Sequence, residues 1–219
     1  MSTDNERIHI EENYLLHEYG VELQNMASPP HDKYIFNLTE KRNKRFKLYL
    51  AALEGDWDTF QRLIYLNPEI NRKTKLSEGG DTALHLAAGA RRTSFVKKLL
   101  QFMQKEDLSI RNNAGNTAFF LAVASGTVEI AKAMMEKNED LVKNRENSMM
   151  ERNEDFVKNR RDSYILPLHQ AALMGNKEMV EYLYEATGDK LLDDNDRFEL
   201  VVNLIDHGLY GKFYYLYSG

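Results

Sequence analysis

The side chains best suited to chemistry in this sequence are two histidines, His85 and His169, each with carboxylates in the surrounding sequence. Imidazole and carboxylate groups act as general acids and bases in many enzymes, so an enzyme is one hypothesis. The motifs that would support it are missing, because the sequence contains no G-x-S-x-G, Walker or H-E-x-x-H pattern. We therefore assign no catalytic residue.

A run of acidic residues near the C-terminal end suggests a different kind of site, one for a calcium ion. It comprises Asp189, Asp193, Asp194, Asn195 and Asp196. The EF-hand spacing, with its central glycine and final glutamate, is absent, which favours a solvated acidic loop. The sequence has no cysteine, and this excludes disulfides, thiolate catalysis and cysteine-ligated zinc. We predict neither a metal nor a cofactor.

The elements that must position the histidines are pairs of helices, and the same pair recurs along the chain. The pattern of the stretch from Asp81 to Leu100 is repeated in two later copies, which begin at Asn116 and Ile165. A degraded earlier copy begins at Phe46. Apolar residues recur at helical spacing in each copy, and a pair of small residues lets neighbouring copies approach closely. A turn glycine follows the first helix in three copies, whereas the second copy has Arg91 there, which predicts a strained or shifted turn. The turn glycines are Gly55, Gly126 and Gly175.

The spacing of the copies indicates the domain organisation. The turn positions are separated by 36, 35 and 49 residues, and the long interval contains two fifteen-residue segments, 136–150 and 151–165, that match at nine positions. We infer a tandem duplication, with a charged insert spanning 136–165 that projects as an extra helix or a loop. We predict a flexible N-terminal arm, 1–32, and one repeat domain, 33–219. Its repeats lie near 46–70, 81–110, 116–143, 165–190 and, as a degenerate fifth copy, 197–217.

Composition limits the classes of partner. The net charge is −5 and the isoelectric point is near 5.7, so the chain as a whole repels phosphate backbones, and we predict no nucleic-acid binding. One short basic run is interpreted as a solvated helix face, with contact to anionic lipid or a partner as the alternative. It comprises Lys41, Arg42, Lys44, Arg45 and Lys47. The longest apolar run, 118–124, is too short for a membrane span, and the first residues do not resemble a signal peptide. We expect a soluble, cytoplasmic protein that reaches a membrane only through a partner.

Three segments resemble the ankyrin repeat, whose hallmark is T-P-L-H-x-A in a period of 33 residues. They are TALH from Thr82, TAFF from Thr117 and LPLH from Leu166. The resemblance implies an all-α solenoid of helix-turn-helix units with short hairpin-like loops. It also implies that the two histidines make hydrogen bonds within and between repeats.

Residues 46–217 are further similar to one branch of that family, the plant ankyrin-repeat proteins that end in a membrane domain with a Pro-Gly-Gly motif. The similarity lies in FVKKLL, GNTAFFLAVASGTVEIAK and LPLHQAALMGNKEMVEYLY. It implies a role in stress or defence signalling. Because that membrane domain is not part of this sequence, we expect a truncated or alternatively ended form.

The favoured function is a non-catalytic scaffold or adaptor that binds other proteins through its loop tips and first helices. The predicted contact residues are Glu54, Glu78, Asp81, Asn113, Asn116, Ser125, Asp162 and Met174. The alternative is a regulatory form that pairs with a longer, membrane-anchored ankyrin homologue through an aromatic C-terminal edge. That edge would present Phe213, Tyr214 and Tyr217.

Overall fold

The computed structural model describes residues 29–144, 146–147 and 164–209. The chain divides into two compact units, Met1–Asn43 and Lys44–Gly219. In the first unit the described residues, from 29 onward, are helical. In the second unit helices alternate with tight turns and short loops. The helices are α1 (Pro29–Glu54), α2 (Trp57–Leu66), α3 (Ala83–Gly89), α4 (Thr93–Leu100), α5 (Ala118–Ser125), α6 (Val128–Lys137), α7 (Pro167–Leu173), α8 (Lys177–Thr187) and α9 (Asp194–Asp206).

Short elements connect one helix pair to the next. We call the helix before each tight turn the first helix of its repeat (α1, α3, α5, α7 and α9) and the helix after the turn the second helix (α2, α4, α6 and α8). Single 3₁₀ turns follow the second helices α4, α6 and α8, at Lys105–Ser109, Glu139–Lys143 and Asp189–Leu191. Hairpin-like loops, here called fingers, then lead to the next first helix. Finger 1 (residues 71–81) closes with a bridge between Lys75 and Thr82, and finger 2 (residues 111–116) with a bridge between Arg111 and Thr117. In finger 3 the strands β1 (Glu146–Asn147) and β2 (Tyr164–Ile165) pair antiparallel.

One turn geometry ends each of the five first helices. In each, the residue after the turn position donates its backbone N–H to a carbonyl five residues earlier, as in Arg92 to Ala87 at 2.8 Å and Asn176 to Ala171 at 3.1 Å. The turn residue itself has a positive φ, which glycine adopts at low cost. Four of the five turns have glycine there, including Gly126 at 76° and Gly208 at 69°. The turn positions identified from the sequence thus share one backbone geometry.

The second repeat keeps this geometry with an arginine. Arg91 has φ of 62°, and within the part of the chain that the structure describes it is the single non-glycine residue with positive φ. The turn is therefore strained and not shifted, which decides between the two expectations. A side chain in this conformation costs about 1–2 kcal/mol because its Cβ crowds the backbone carbonyl.

Replacing Arg91 by glycine is expected to raise the free energy of unfolding by about 1 kcal/mol, since the relief of strain exceeds the entropy that glycine adds to the unfolded chain. Arg91→Ala is the matched control, because it removes the exposed side chain and keeps the Cβ. Urea unfolding of both variants measures the difference. Equal stability of the glycine and alanine variants would contradict the strain.

The core forms where the helix pairs stack. Ala87 and Ala88 of α3 are fully buried, as are Ala122 and Val123 of α5, so the small-residue pairs lie between neighbouring repeats as predicted. Large side chains of the second helices fill the space behind them. Phe95, Val96, Leu99, Ile130, Met134, Met179 and Leu183 are each at most 1% exposed. Burying such a side chain contributes about 1.5–3 kcal/mol, which makes stacking the main source of stability.

The first repeat differs from the expectation of a helix beginning near Phe46. Helix α1 begins at Pro29 and runs through Phe46 without a break to Glu54. The residues from Glu40 to Lys47 are mostly lysine, arginine and glutamate, which are good helix formers, and no capping residue stands at position 46 to start a new helix. The helix therefore extends well before the repeat itself.

The described parts of the duplicated segment form ordinary elements of the repeat. Residues 136–144 form the end of α6 and a regular 3₁₀ turn, and residues 146–147 form strand β1, all of which belong to an ordinary repeat. The additional residues lie between β1 and β2 in the sequence. Residues 148–163, with the predicted contact residue Asp162, lie outside the described part of the chain.

The acidic run that suggested calcium has a structural use at the start of α9. The Asp193 carboxylate accepts a hydrogen bond from the Asp196 N–H at 2.7 Å, and the Asp196 carboxylate accepts one from the Asp193 N–H at 3.2 Å. This reciprocal pair caps the helix. Helix α9 accordingly begins at Asp194, slightly before the predicted fifth copy at 197.

Candidate partner-binding site

Fingers 1 and 2 are tied together at their tips. The backbone N–H of Asn113 donates to the Gly79 carbonyl at 2.8 Å, and its side-chain amide donates to the Glu78 carbonyl, also at 2.8 Å. The Asn112 amide donates to the Asp81 carboxylate at 2.9 Å. Three hydrogen bonds thus hold the two tips in one arrangement before any partner arrives.

Glycine at the tip of finger 1 is required by this close approach. Gly80 has φ of 77°, and a Cβ there would overlap the side chain of Asn113. The two tips can therefore meet only because one of them lacks a side chain at the contact.

The C-terminal ends of the first helices form a continuous row beside the turns. The Arg92 Nε donates to the Leu53 carbonyl at 2.8 Å, the Ser125 hydroxyl to the Ala88 carbonyl at 3.3 Å, and the Asn176 amide to the Gly126 carbonyl at 3.3 Å. Each bond joins one repeat to the next, so equivalent positions lie side by side. The positions just before the turns are Glu54, Ala90, Ser125 and Met174, which we call the helix-end row.

The predicted contact residues occupy different environments. Glu78 and Asn113 are exposed at the finger tips, and Glu54 and Met174 are exposed in the helix-end row, where Met174 is 37% accessible. Asp81 and Ser125 are half-buried and hydrogen-bonded to neighbouring residues. Asn116 is only 5% exposed, so little of its side chain is accessible to a partner. Phe213, Tyr214 and Tyr217 lie outside the described residues.

Two neighbouring positions were absent from the prediction. Ala90 completes the helix-end row, and the repeat period could have identified it because it aligns with Ser125 and Met174. Asn112 positions Asp81 across an interval of 31 residues, and no local pattern indicates that contact.

His85 joins two repeats in the core. Its Nε2 lies 3.1 Å from the Asn116 carbonyl, which can only accept, so Nε2 carries the proton. Its Nδ1 then accepts from the Thr82 N–H at 3.3 Å and from the Thr82 hydroxyl at 2.8 Å. Burial lowers the pKa of the imidazole below its usual value and keeps it neutral. The expected hydrogen bonds within and between repeats are confirmed for His85.

His169 makes the corresponding contact two repeats further along the chain. Its Nε2 donates to the Asp196 carbonyl at 2.9 Å, and the ring is 1% exposed. Both histidines thus have structural hydrogen bonds. Among residues 29–144, 146–147 and 164–209, no cluster of three or more His, Cys, Asp or Glu side chains is arranged to hold a metal ion.

Ion pairs add a second set of links between repeats. Asp140 accepts from Lys143 at 2.7 Å in its own repeat and from Lys105 of the preceding repeat at 2.9 Å. The two ammonium groups, Lys143 first, hold the pKa of Asp140 at about 2. Lys73 pairs in the same way with Asp107, at 2.6 Å. The repeats are therefore linked by charge outside as well as by packing inside.

No helix within the described part of the chain is both long enough and apolar enough to cross a membrane.

No curated protein matches the chain. A family model described as "Ankyrin repeats (3 copies)" matches residues 48–145, and one described as "Ankyrin repeat" matches residues 165–197. The interval between the two matches contains the inserted residues of finger 3. Because the two matches together cover more than half of the 219 residues, the chain belongs to the ankyrin-repeat proteins.

Proposed function

We propose that this chain is a non-catalytic scaffold that binds a partner protein on the finger tips and the helix-end row. Ankyrin repeats mediate binding to other proteins, and no enzyme family matches the sequence. The observation that carries the proposal is the set of three hydrogen bonds between the tips of fingers 1 and 2. A surface held rigid before binding loses less conformational entropy when a partner docks.

The side chains on this surface indicate the kind of partner. Glu54 and Glu78 are exposed carboxylates, and Met174 offers an exposed apolar side chain at the other end of the helix-end row. Asn113 supplies an amide at the tip of finger 2. We propose a partner surface that combines positive charge with an apolar residue.

Site-specific photo-crosslinking tests this surface. Benzoylphenylalanine in place of Glu78 or Met174 is expected to give discrete adducts with a partner protein in a cell extract. The matched control carries the same group at Lys177, which is exposed on the second helix α8. Adducts of equal yield from Lys177 would contradict binding on the fingers and helix-end row, as would adducts from the control position alone.

We further propose that the scaffold acts in stress or defence signalling in the cytoplasm, close to a membrane through its partner. The support is the similarity to plant ankyrin-repeat proteins that carry a membrane domain. Fractionation of cells that contain or lack the partner protein identified by crosslinking tests whether this chain is found with membranes only when the partner is present. A crosslinked partner that takes no part in a stress or defence response would count against the proposal.

The second candidate function, pairing with a longer ankyrin homologue through the C-terminal edge, is favoured by one observation. On α9 the side chains of Phe198 and Ile205 are 63% and 43% exposed, and their seven-residue spacing places them on one helix face. Val201 and Val202 lie half-buried between them. Such an apolar strip is available to a second ankyrin stack.

Light scattering over a concentration series tests the edge. Wild-type protein is expected to self-associate as its concentration rises, and Phe198→Glu with Ile205→Glu is expected to remain monomeric. Lys177→Glu serves as the control for an added charge elsewhere. A wild-type protein that stays monomeric throughout would remove this candidate.

A further inference from the structure

A cluster of cations and aromatic rings lies on the first two repeats, with Trp57 on α2, Lys98 on α4, Phe102 just after α4 and Arg72 in finger 1. The Arg72 guanidinium stands 4.5 Å from the centre of the Phe102 ring, and the Lys98 ammonium 5.9 Å from the Trp57 ring. Phe102 and Trp57 stack on each other, with ring centres 5.9 Å apart and planes at 20°. We call these four residues the aromatic–cation cluster. It shares Arg72 with finger 1, and its other three residues lie outside the fingers and the helix-end row.

Large apolar side chains around the cluster are exposed, although the repeat fold does not require apolar residues at these positions. Phe102 is 48% exposed, and at the end of α2 Tyr65 and Leu66 are 83% and 64% exposed. Leu66 and Phe102 occupy equivalent positions in consecutive repeats. The next repeat has Lys137 there, and it donates to the Leu100 carbonyl at 2.8 Å. A polar residue can thus serve the fold at this position, so the exposed Leu66 and Phe102 are not explained by folding.

The cations of the cluster have no carboxylate partner in the described part of the chain. Neither Arg72 nor Lys98 forms an ion pair with any residue that the structure describes, whereas nearby Lys73 pairs with Asp107 at 2.6 Å. A guanidinium stacked on a ring is held in place and remains able to accept a carboxylate along its edge. The cluster therefore offers fixed positive charge beside exposed apolar surface.

A pocket adjoins the cluster and adds shape to it. It is a shallow depression of about 470 Å³ that is largely open to solvent. Arg72 forms part of its wall and so connects it to the cluster. The other lining residues are Asp58, Gln61, Arg62, Ile64 and Tyr65. With two arginines against one aspartate, the pocket favours an apolar group that is flanked by negative charge.

We propose that the aromatic–cation cluster binds an acidic segment of a partner protein that carries a large apolar side chain. The apolar side chain enters the pocket beside Tyr65, and flanking carboxylates pair with Arg72 and Lys98. A nucleic acid fits less well, because the chain as a whole has a net charge of −5 and repels a long polyanion. An acidic peptide places its few charges only where the cations are.

Titration with a defined peptide tests the proposal. The probe has leucine and phenylalanine at its centre, three glutamates on either side, and no tryptophan. Trp57 is the only tryptophan of the chain and is part of the cluster, so its fluorescence reports binding directly. A saturable change below about 1 mM peptide is expected. Arg72→Gln and Lys98→Gln are each expected to weaken binding about fivefold, because each removes one charge contact.

Matched controls separate recognition from general charge effects. Lys132 also stands over a ring, 5.4 Å from Tyr182, on a different repeat, so Lys132→Gln is expected to leave peptide affinity unchanged. A peptide with glutamine in place of glutamate is expected to bind about tenfold more weakly. Absence of saturable binding, equal loss in Lys132→Gln, or equal affinity for the glutamine peptide would each overturn the proposal. So would a stronger Arg72-dependent response to phosphatidylserine vesicles, which would assign the cluster to a membrane surface.

Discussion

Replacing Gly126 by alanine is expected to lower the free energy of unfolding by about 3 kcal/mol, because strain and a lost contact combine at this position. Gly126 has φ of 76°, and a Cβ there would lie well inside contact distance of the Asn176 amide. That amide donates to the Gly126 carbonyl at 3.3 Å, and its oxygen caps α8 by accepting from the Met179 N–H at 2.9 Å. The side chain of Asn176 cannot move away without losing both bonds. Chemical denaturation monitored by circular dichroism measures the effect.

A double-mutant cycle separates the two contributions. Asn176→Ala alone is expected to cost about 1 kcal/mol, the usual value of a helix cap. Together with Gly126→Ala it should cost less than the sum, since the amide that obstructs the new Cβ is gone. Gly89→Ala is the matched control, because a Cβ on Gly89 meets nothing within 4 Å, and its effect should be small. Full additivity in the cycle would show that Gly126 and Asn176 do not interact.

His85→Phe is expected to destabilise the protein by about 3 kcal/mol, because three hydrogen-bonded groups lose their partner in the core. The Asn116 carbonyl loses the Nε2 donor, and the Thr82 N–H and hydroxyl lose the Nδ1 acceptor. Size is not the cause, since Phe120 occupies the equivalent position of the next repeat and is fully buried. There Thr117 accepts from the Phe120 N–H at 3.3 Å, a local arrangement that suits phenylalanine. Denaturation at pH 7.5 measures the loss.

The pH dependence of His85→Phe distinguishes this hydrogen-bonding role from packing alone. Burial lowers the pKa of His85 in the folded protein below its usual 6.5, so the unfolded chain binds a proton first as the pH falls. The stabilising contribution is therefore complete above about pH 6.5 and is lost as the pH falls through the folded-state pKa. The wild type is expected to lose stability more steeply than His85→Phe on acidification from pH 7.5 to 5. Parallel pH profiles for the two proteins would contradict the proposed role.

Much of the repeat architecture follows from short stretches of sequence. The turn glycines, the Ala87-Ala88 pair and the apolar positions of the second helices are found where the repeat period places them. These features depend on residues a few positions apart, because helix periodicity and turn conformation are local properties. The sequence did not show that residues 136–144, which resemble part of the insert, form the end of α6 and a 3₁₀ turn as in an ordinary repeat.

The candidate site could be predicted only in outline. Repeat alignment places Glu54, Ser125 and Met174 at equivalent helix ends and Glu78 and Asn113 at finger tips. It does not show that Asn116 is buried, or that the carboxylate of Asp81 already accepts from Asn112. Each of those outcomes depends on a contact between different repeats.

Sequence patterns were sufficient to predict an all-α repeat protein, the residues of its core and the turn that ends each first helix. These features can be predicted because residue type is coupled locally to backbone conformation. Three-dimensional structure was needed to show that Arg91 accepts a strained turn, that two finger tips are joined, and that Arg72 and Lys98 lie over the rings of Phe102 and Trp57. The contacts between the finger tips and between the cations and the rings join residues about 30 to 40 positions apart, and their free energy depends on how whole repeats stack and not on any short segment.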